Sequence, residues 1–353
     1  MIVYRSAWNA RILVSAAPWS DAEIGQLRAL CDERSFDVSY FPGIDPVRAG
    51  IYNDLPVVSF DEATVQNGAG PADAIMDEAV ALLAGAPSVH HGFFDLRPAT
   101  FDRPFFFATL RLSRLDRILE RIDLVPREEI GTLINVAVLL QSLGLAAVVL
   151  LLPLIRRGAA RPPAAMIGKS VVYFAALGIG FLFIEIHLIE RAAFYLNDRS
   201  YAFALVLAGM LVFSGMGSLA CGRYYGRPQR GVRLAAAAIA LWCIAAWFLL
   251  PALITSTLGL SLALRICILL AVIAPVSFAL GFPFPLGLTQ FRGETDAFLP
   301  WAWSLNGAFS VISTPLANLI GLSAGLKILL LIALALYLLV SLAFPREGQK
   351  APA

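Results

Sequence analysis

The sequence predicts a polytopic α-helical membrane bundle of about seven spans, preceded by a small, incomplete α/β domain. Three features predict it. Residues 131–345 are largely apolar runs about 20 residues long, the length that crosses the hydrocarbon core of a bilayer. Residues 1–130 have the mixed composition of a soluble protein. The whole chain is 59% hydrophobic and 15% charged, with mean hydropathy +0.75, whereas ordinary soluble domains carry about 25% charge. The predicted division is 1–108 (soluble α/β), 109–130 (amphipathic helix and linker), 131–345 (membrane bundle) and 346–353 (tail).

The N-terminal stretch MIVYRSAWNARILVSAAPW is broken by Arg5 and Arg11 and has no continuous apolar core, so it does not read as a signal peptide. ARILVSA is rich in strand formers. Pro18 and the run Ser20-Asp21-Ala22-Glu23 supply a helix start, and IGQLRALCDER continues with a helical apolar period. FDVSYFPG then reads as a second strand ended by Pro42-Gly43. A strand-helix-strand unit of this kind belongs to an α/β sheet. A loop-rich stretch follows, and then a helix near 73–84 (DAIMDEAVALLA).

RLSRLDRILERI, residues 111–122, places Arg111, Arg114, Arg117 and Arg121 on one helical face and Leu112, Leu115, Ile118, Leu119 and Ile122 on the other. Such a helix lies in a membrane interface with its arginines toward lipid phosphates, or packs on the soluble domain. Its place just before the first span favours the interface.

Spans are predicted near 131–155, 170–190, 200–221, 233–254, 261–287, 299–321 and 325–344. Eleven basic residues fall at one set of ends: Arg156, Arg157, Arg161, Lys169, Arg223, Arg227, Arg230, Arg233, Arg292, Arg346 and Lys350. The opposite ends hold Arg191, Arg199 and Lys327, or eight basic residues once the five arginines between 111 and 127 are added. The positive-inside rule leans toward a cytoplasmic location for the eleven, with the N-terminal domain outside.

The segment FLFIEIHLIER, 181–191, carries four ionisable groups among apolar ones. With a span at 170–190, Glu185 lies about five residues from its end, roughly 7–8 Å deep. A charge near a helix centre costs about 2.5–3.5 kcal/mol on insertion scales, so Glu185 should face the bundle interior. His187, Glu190 and Arg191 are three and four residues apart and share a different face, placed near the membrane boundary. Arg265, Asn306 and Asn318 are candidate partners from other spans, and Asp198 and Arg199 are placed to close over the trio. Two readings stand: a polar cavity that binds a cation or relays protons, and an internal ion pair that fixes helix packing.

LGFPFPLG (280–287) reads as a kink or helix end, or as the broken helix of a transporter. SGMGSLACG (214–222) has small residues four apart, as in close helix packing. The four cysteines (Cys31, Cys221, Cys243, Cys267) show no metal or disulfide spacing and read as packing residues. The sequence contains no phosphate-binding glycine loop, HExxH, CxxC pair or nucleophile elbow. Its basic residues cluster at membrane flanks, so the partner they imply is the lipid bilayer and not nucleic acid.

Several motifs together resemble the bacterial membrane-fused spermidine-synthase-like proteins: PATFDRPFFF (98–107), GIGFLFIEIHLIERAAFYLNDRSYAFALVLAGMLVFSGMGSLACGR (178–223), GFPFPLGL (281–288) and PWAWSLNGAFSVIS (300–313). ILVSAAPWSDAEIGQLRALCDERSFDVSYFPG (12–43) resembles the late strand-helix-strand part of that family's soluble domain. The resemblance implies a multi-pass protein of the bacterial plasma membrane, with the C-terminal part of a Rossmann-like methyltransferase fold ahead of its spans. It also implies that the nucleotide-binding glycines and catalytic acids of these aminopropyltransferases belong upstream of the matched part. Of the two acidic residues that usually precede RPFF only Asp102 is present; Asp102 and Arg103 are expected to act as a joint between soluble domain and membrane. The expectation is a chain inactive alone, using an S-adenosylmethionine-type cofactor only if a partner chain supplies the catalytic Rossmann half. A small-cation or polyamine permease using Glu185, and a truncated reading frame without activity, are the competing expectations.

Overall fold

A computed structural model describes residues 1–6, 9–45, 53, 74–85, 94–95, 97–106, 108–120, 122–155, 164–291 and 299–345. The chain divides into two units. One comprises residues 1–98 and 109–129, the other residues 99–108 and 130–353. The boundaries differ from those the sequence predicts, because residues 99–108 group with the helical bundle.

The first unit holds a three-stranded sheet in the order β2-β1-β3, with β1 at Ile2–Arg5, β2 at Ala10–Leu13 and β3 at Asp37–Tyr40. Both neighbours run antiparallel to β1. The expected strand-helix-strand is therefore present as β2, α1 (Asp21–Arg34) and β3, with β1 inserted between its two strands. Arg5, which interrupts an apolar run in the sequence, pairs with Asp37 across the sheet at 2.9 Å, both side chains being almost wholly buried. The α1 start is the one the sequence predicts. Ser20 caps the helix and Glu23 reaches back to it, its carboxylate accepting from the Ser20 backbone N–H at 2.9 Å and hydroxyl at 2.7 Å. The later helix is α2, Ala74–Leu83.

Residues 111–122 do not form one continuous amphipathic helix. A short α3, Leu115–Glu120, is flanked by 3₁₀ turns at Leu112–Arg114, Ile122–Leu124 and Arg127–Glu129. Leu110, Ile118 and Val125 are buried, and Glu129 binds this segment to itself, accepting from the Thr109 amide at 2.6 Å and hydroxyl at 2.7 Å. Those contacts set the local turns and override the 3.6-residue period. Arg121 lies outside the described residues.

The second unit is a helical bundle: α4 (Ile130–Ile155), α5 (Ala164–Leu196), α6 (Arg199–Ala220), α7 (Pro228–Thr257), α8 (Leu262–Leu280), α9 (Pro283–Leu288), α10 (Leu299–Ala324) and α11 (Leu326–Leu342). Among the described residues six helices are long and apolar enough to cross a membrane, where the sequence suggests about seven spans. The seventh, α11, has 17 residues. At 1.5 Å per residue it is about 26 Å long, short of a full hydrocarbon core of about 30 Å. Of the flanking basic residues, Arg156, Arg157, Arg161, Arg292, Arg346 and Lys350 lie outside the described residues.

Burial sorts the helices. The most apolar stretch of α5 is 67% buried and that of α4 only 11%, so α5 is the central helix and α4 a peripheral one. α5 packs against α6, α8, α10 and α11, while α4 packs on α10. Large apolar side chains that remain outward, such as Leu140, Leu219, Leu241 and Phe248, suit hydrocarbon as solvent. The break after α8 is a packing device: Gly281 lies against the Ser214 carbonyl and the Ser218 amide of α6, where a Cβ has no room. α9 then restarts at Pro283, whose carbonyl accepts the Tyr173 hydroxyl at 2.6 Å.

Candidate functional site

The polar stretch of α5 lies deeper in its helix than the sequence suggests. α5 runs on to Leu196, so Glu185 is eleven residues, about 16 Å along the axis, from its C-terminal end. The helix stops where Asn197 adopts a left-handed conformation (φ 57°). Asp198 then caps α6, its carboxylate accepting from the Tyr201 amide at 2.7 Å.

Each ionisable group can be followed to its partner. Glu190 pairs with Arg199 at 2.9 Å, so Arg199 does close over part of the trio. Arg265 does not meet Glu185. It donates to the Tyr195 carbonyl at 2.7 Å and thereby satisfies an acceptor in the last turn of α5. Arg191 donates to Asp102 at 3.1 Å and to the Phe101 carbonyl, and lies over the Phe101 ring at 4.3 Å. Asn306 enters through its backbone, whose carbonyl accepts from Ser310 Oγ at 2.8 Å.

Asp102 is the hub. Its carboxylate accepts the Lys327 amide at 2.8 Å, and its carbonyl accepts the Leu326 amide at 2.9 Å. These are unsatisfied donors at the start of α11, so a carboxylate from a distant segment caps that helix and complements its dipole. Gly325, which joins α10 to α11 at φ 95°, lies against the Asp102 carboxylate and leaves no space for a Cβ. Asp102, placed at a joint, and Arg191, placed in an intramembrane site, thus form one clasp with the α10–α11 turn. Arg103 closes the 100–103 turn, its amide donating to the Thr100 carbonyl at 3.0 Å. The Lys327, Leu326 and Phe101 backbone groups carry no signal in the sequence, because any residue supplies them. Gly325 between two apolar runs was the one legible cue.

Two side chains stand apart. His187 is 1% exposed, and its Nδ1 lies 2.9 Å from the Leu326 carbonyl. A carbonyl only accepts, so Nδ1 carries a proton, and Nε2 is buried without a hydrogen-bond partner among the described residues. Glu185 is 6% exposed and makes no hydrogen bond or ion pair among the described residues. It lies two turns beyond Gly178, whose face meets Asn306 and Ser310, and so on the side of α5 toward α10. The space beside Arg191 is small. A cavity of about 10 Å³ between α5, α7 and α8, lined by Leu188, Arg191, Tyr195, Leu250 and Leu269, has room for about one water. Among the described residues no three His, Cys, Asp or Glu side chains are grouped to hold a metal ion.

Compared with protein-family models, curated proteins and solved structures, the chain has no match.

Proposed function

We propose that the chain is a non-catalytic membrane module of the spermidine-synthase-like kind, seated in a bacterial plasma membrane and completed by a partner chain that supplies the nucleotide-binding half. The observation that carries this reading is the clasp on Asp102. Segment 99–108 belongs to the bundle but interrupts the first unit in the chain. Arg191 and the start of α11 hold it at Phe101 and Asp102. Of the ionisable groups at this end of α5, Arg191 is engaged in that role, and the adjoining cavity is too small for a substrate. An S-adenosylmethionine-type cofactor would belong to the partner's half. The test is the purified full chain in lipid nanodiscs: it should neither bind S-adenosylmethionine nor transfer aminopropyl groups, and detectable turnover contradicts the reading.

A second reading, a permease for a small cation or polyamine, is favoured by Glu185. A carboxylate buried mid-helix with no partner among the described residues is costly unless it has a ligand or a proton to exchange. This reading expects saturable uptake into proteoliposomes that Glu185→Gln abolishes; equal uptake by the variant removes Glu185 from any transport mechanism.

A further inference from the structure

The turn between α6 and α7 forms a cleft of about 430 Å³ lined by Arg223, Tyr224, Gly226, Arg227, Arg230 and Leu234. Three guanidinium groups therefore face one space. None of the three side chains has a carboxylate partner or a hydrogen bond among the described residues, in contrast to Arg191 and Arg199 of the same bundle. The crowding is built by the backbone: a 3₁₀ turn at Cys221–Tyr224 leads to Arg227, whose amide donates to the Tyr224 carbonyl at 2.8 Å, and α7 starts at Pro228. Like charges that line one space repel one another unless an anion lies between them. Arginine is the side chain whose planar fork matches phosphate oxygens two at a time.

The apolar wall of the cleft indicates which phosphate. Leu234 lines it and is half exposed, and from it an outward stripe of Leu241, Ile244 and Phe248 climbs the same side of α7. The stripe is about 21 Å long at 1.5 Å per residue, more than the ~15 Å hydrocarbon half-thickness of a bilayer. Above it, Ile244, Trp247 and Phe248 form an apolar groove with Leu330, Leu331 and Leu334 of α11. A free phosphate has no use for such a path, whereas an acyl chain does.

We infer that the α6–α7 turn is a binding site for an anionic glycerophospholipid, its phosphate held by Arg223, Arg227 and Arg230 and one acyl chain laid along Leu234, Leu241 and Phe248 of α7. Basic clusters at membrane ends bind acidic lipid headgroups on the same electrostatic grounds. The inference does not depend on what the Asp102 clasp or Glu185 does.

The experiment is equilibrium binding of acyl-labelled phosphatidylglycerol to the purified, delipidated full chain in neutral detergent. Phosphatidylglycerol should bind clearly more tightly than phosphatidylcholine and weaken with added salt. The combined variant Arg223→Gln, Arg227→Gln, Arg230→Gln should bind it about a hundredfold more weakly, at roughly fivefold per arginine. Inorganic phosphate should not displace the lipid at equal concentration. Wild-type affinity in the combined variant overturns the site, and displacement by phosphate at equal concentration overturns the lipid assignment. Equal affinity of the wild-type chain for the two lipids overturns the inference even if the variant does not fold.

Discussion

Buried ion pairs and caps decide the residue scale, and they differ in how visible they are beforehand. The Ser20–Glu23 capping box was legible because both residues are local and correctly spaced. Arg5–Asp37 was not, since nothing within 32 positions links them until β1 pairs with β3. Arg5→Ala leaves the Asp37 carboxylate buried without its counter-ion and should destabilise the first unit by about 3–5 kcal/mol in chemical denaturation. Glu23 gives a pH prediction. Hydrogen bonds from Ser20 hold its carboxyl below its usual value of 4.5. A depressed folded-state value means the stabilisation is complete above the unfolded value and lost as pH falls through the folded one. Glu23→Ala should therefore lower stability at pH 7 and make no difference once the carboxyl is protonated; a difference that persists in acid contradicts the assignment. Cys31 is fully buried, and burial pushes its thiol up. It should label slowly in the folded chain and readily after unfolding.

At the scale of elements, hydropathy located the helices well and their ends poorly. The predicted span 170–190 became a helix of 33 residues, because Arg265, Asn197 and Asp198 set its end through contacts that no window of hydropathy contains. The helix predicted over 111–122 broke into short turns, because Glu129 and the buried Ile118 fixed that segment locally. The small residues of 214–222 were readable as a packing surface, and their partner proved to be Gly281 at the end of α8. Gly281→Ala places a methyl against the Ser214 carbonyl and the Ser218 amide, an overpacking that should cost about 1–3 kcal/mol. Thermal unfolding in detergent checks it, and an unchanged midpoint would show that α6 and α8 do not cross this closely. The ionisable cluster on α5 was visible as a cluster, and Arg199 as a residue that closes over it, but the partners of Arg191 and Arg265 were not. Each partner of Arg191, Glu190 and Arg265 lies on another segment or on the backbone.

For the whole molecule, the number of apolar helices follows from composition, whereas orientation and the role of segment 99–108 do not. The charge bias leans toward a first unit on the outer, non-cytoplasmic side of the membrane. A cysteine introduced at Glu33, whose side chain is 71% exposed, should then react with an impermeant thiol reagent in intact cells; reaction only in inverted vesicles reverses the orientation. The proposed module stands or falls with the clasp, in which Arg191 is 4% and Asp102 36% exposed. The most direct measurement is a double-mutant cycle of Asp102→Asn, Arg191→Met and the pair, read by unfolding in detergent and by protease cleavage within 99–108. Each single change should cost about 2–4 kcal/mol and open the segment to protease, with a coupling of about 1–3 kcal/mol between them. Additive effects, or a segment equally resistant in all four proteins, would show that Asp102 and Arg191 do not hold the chain together here.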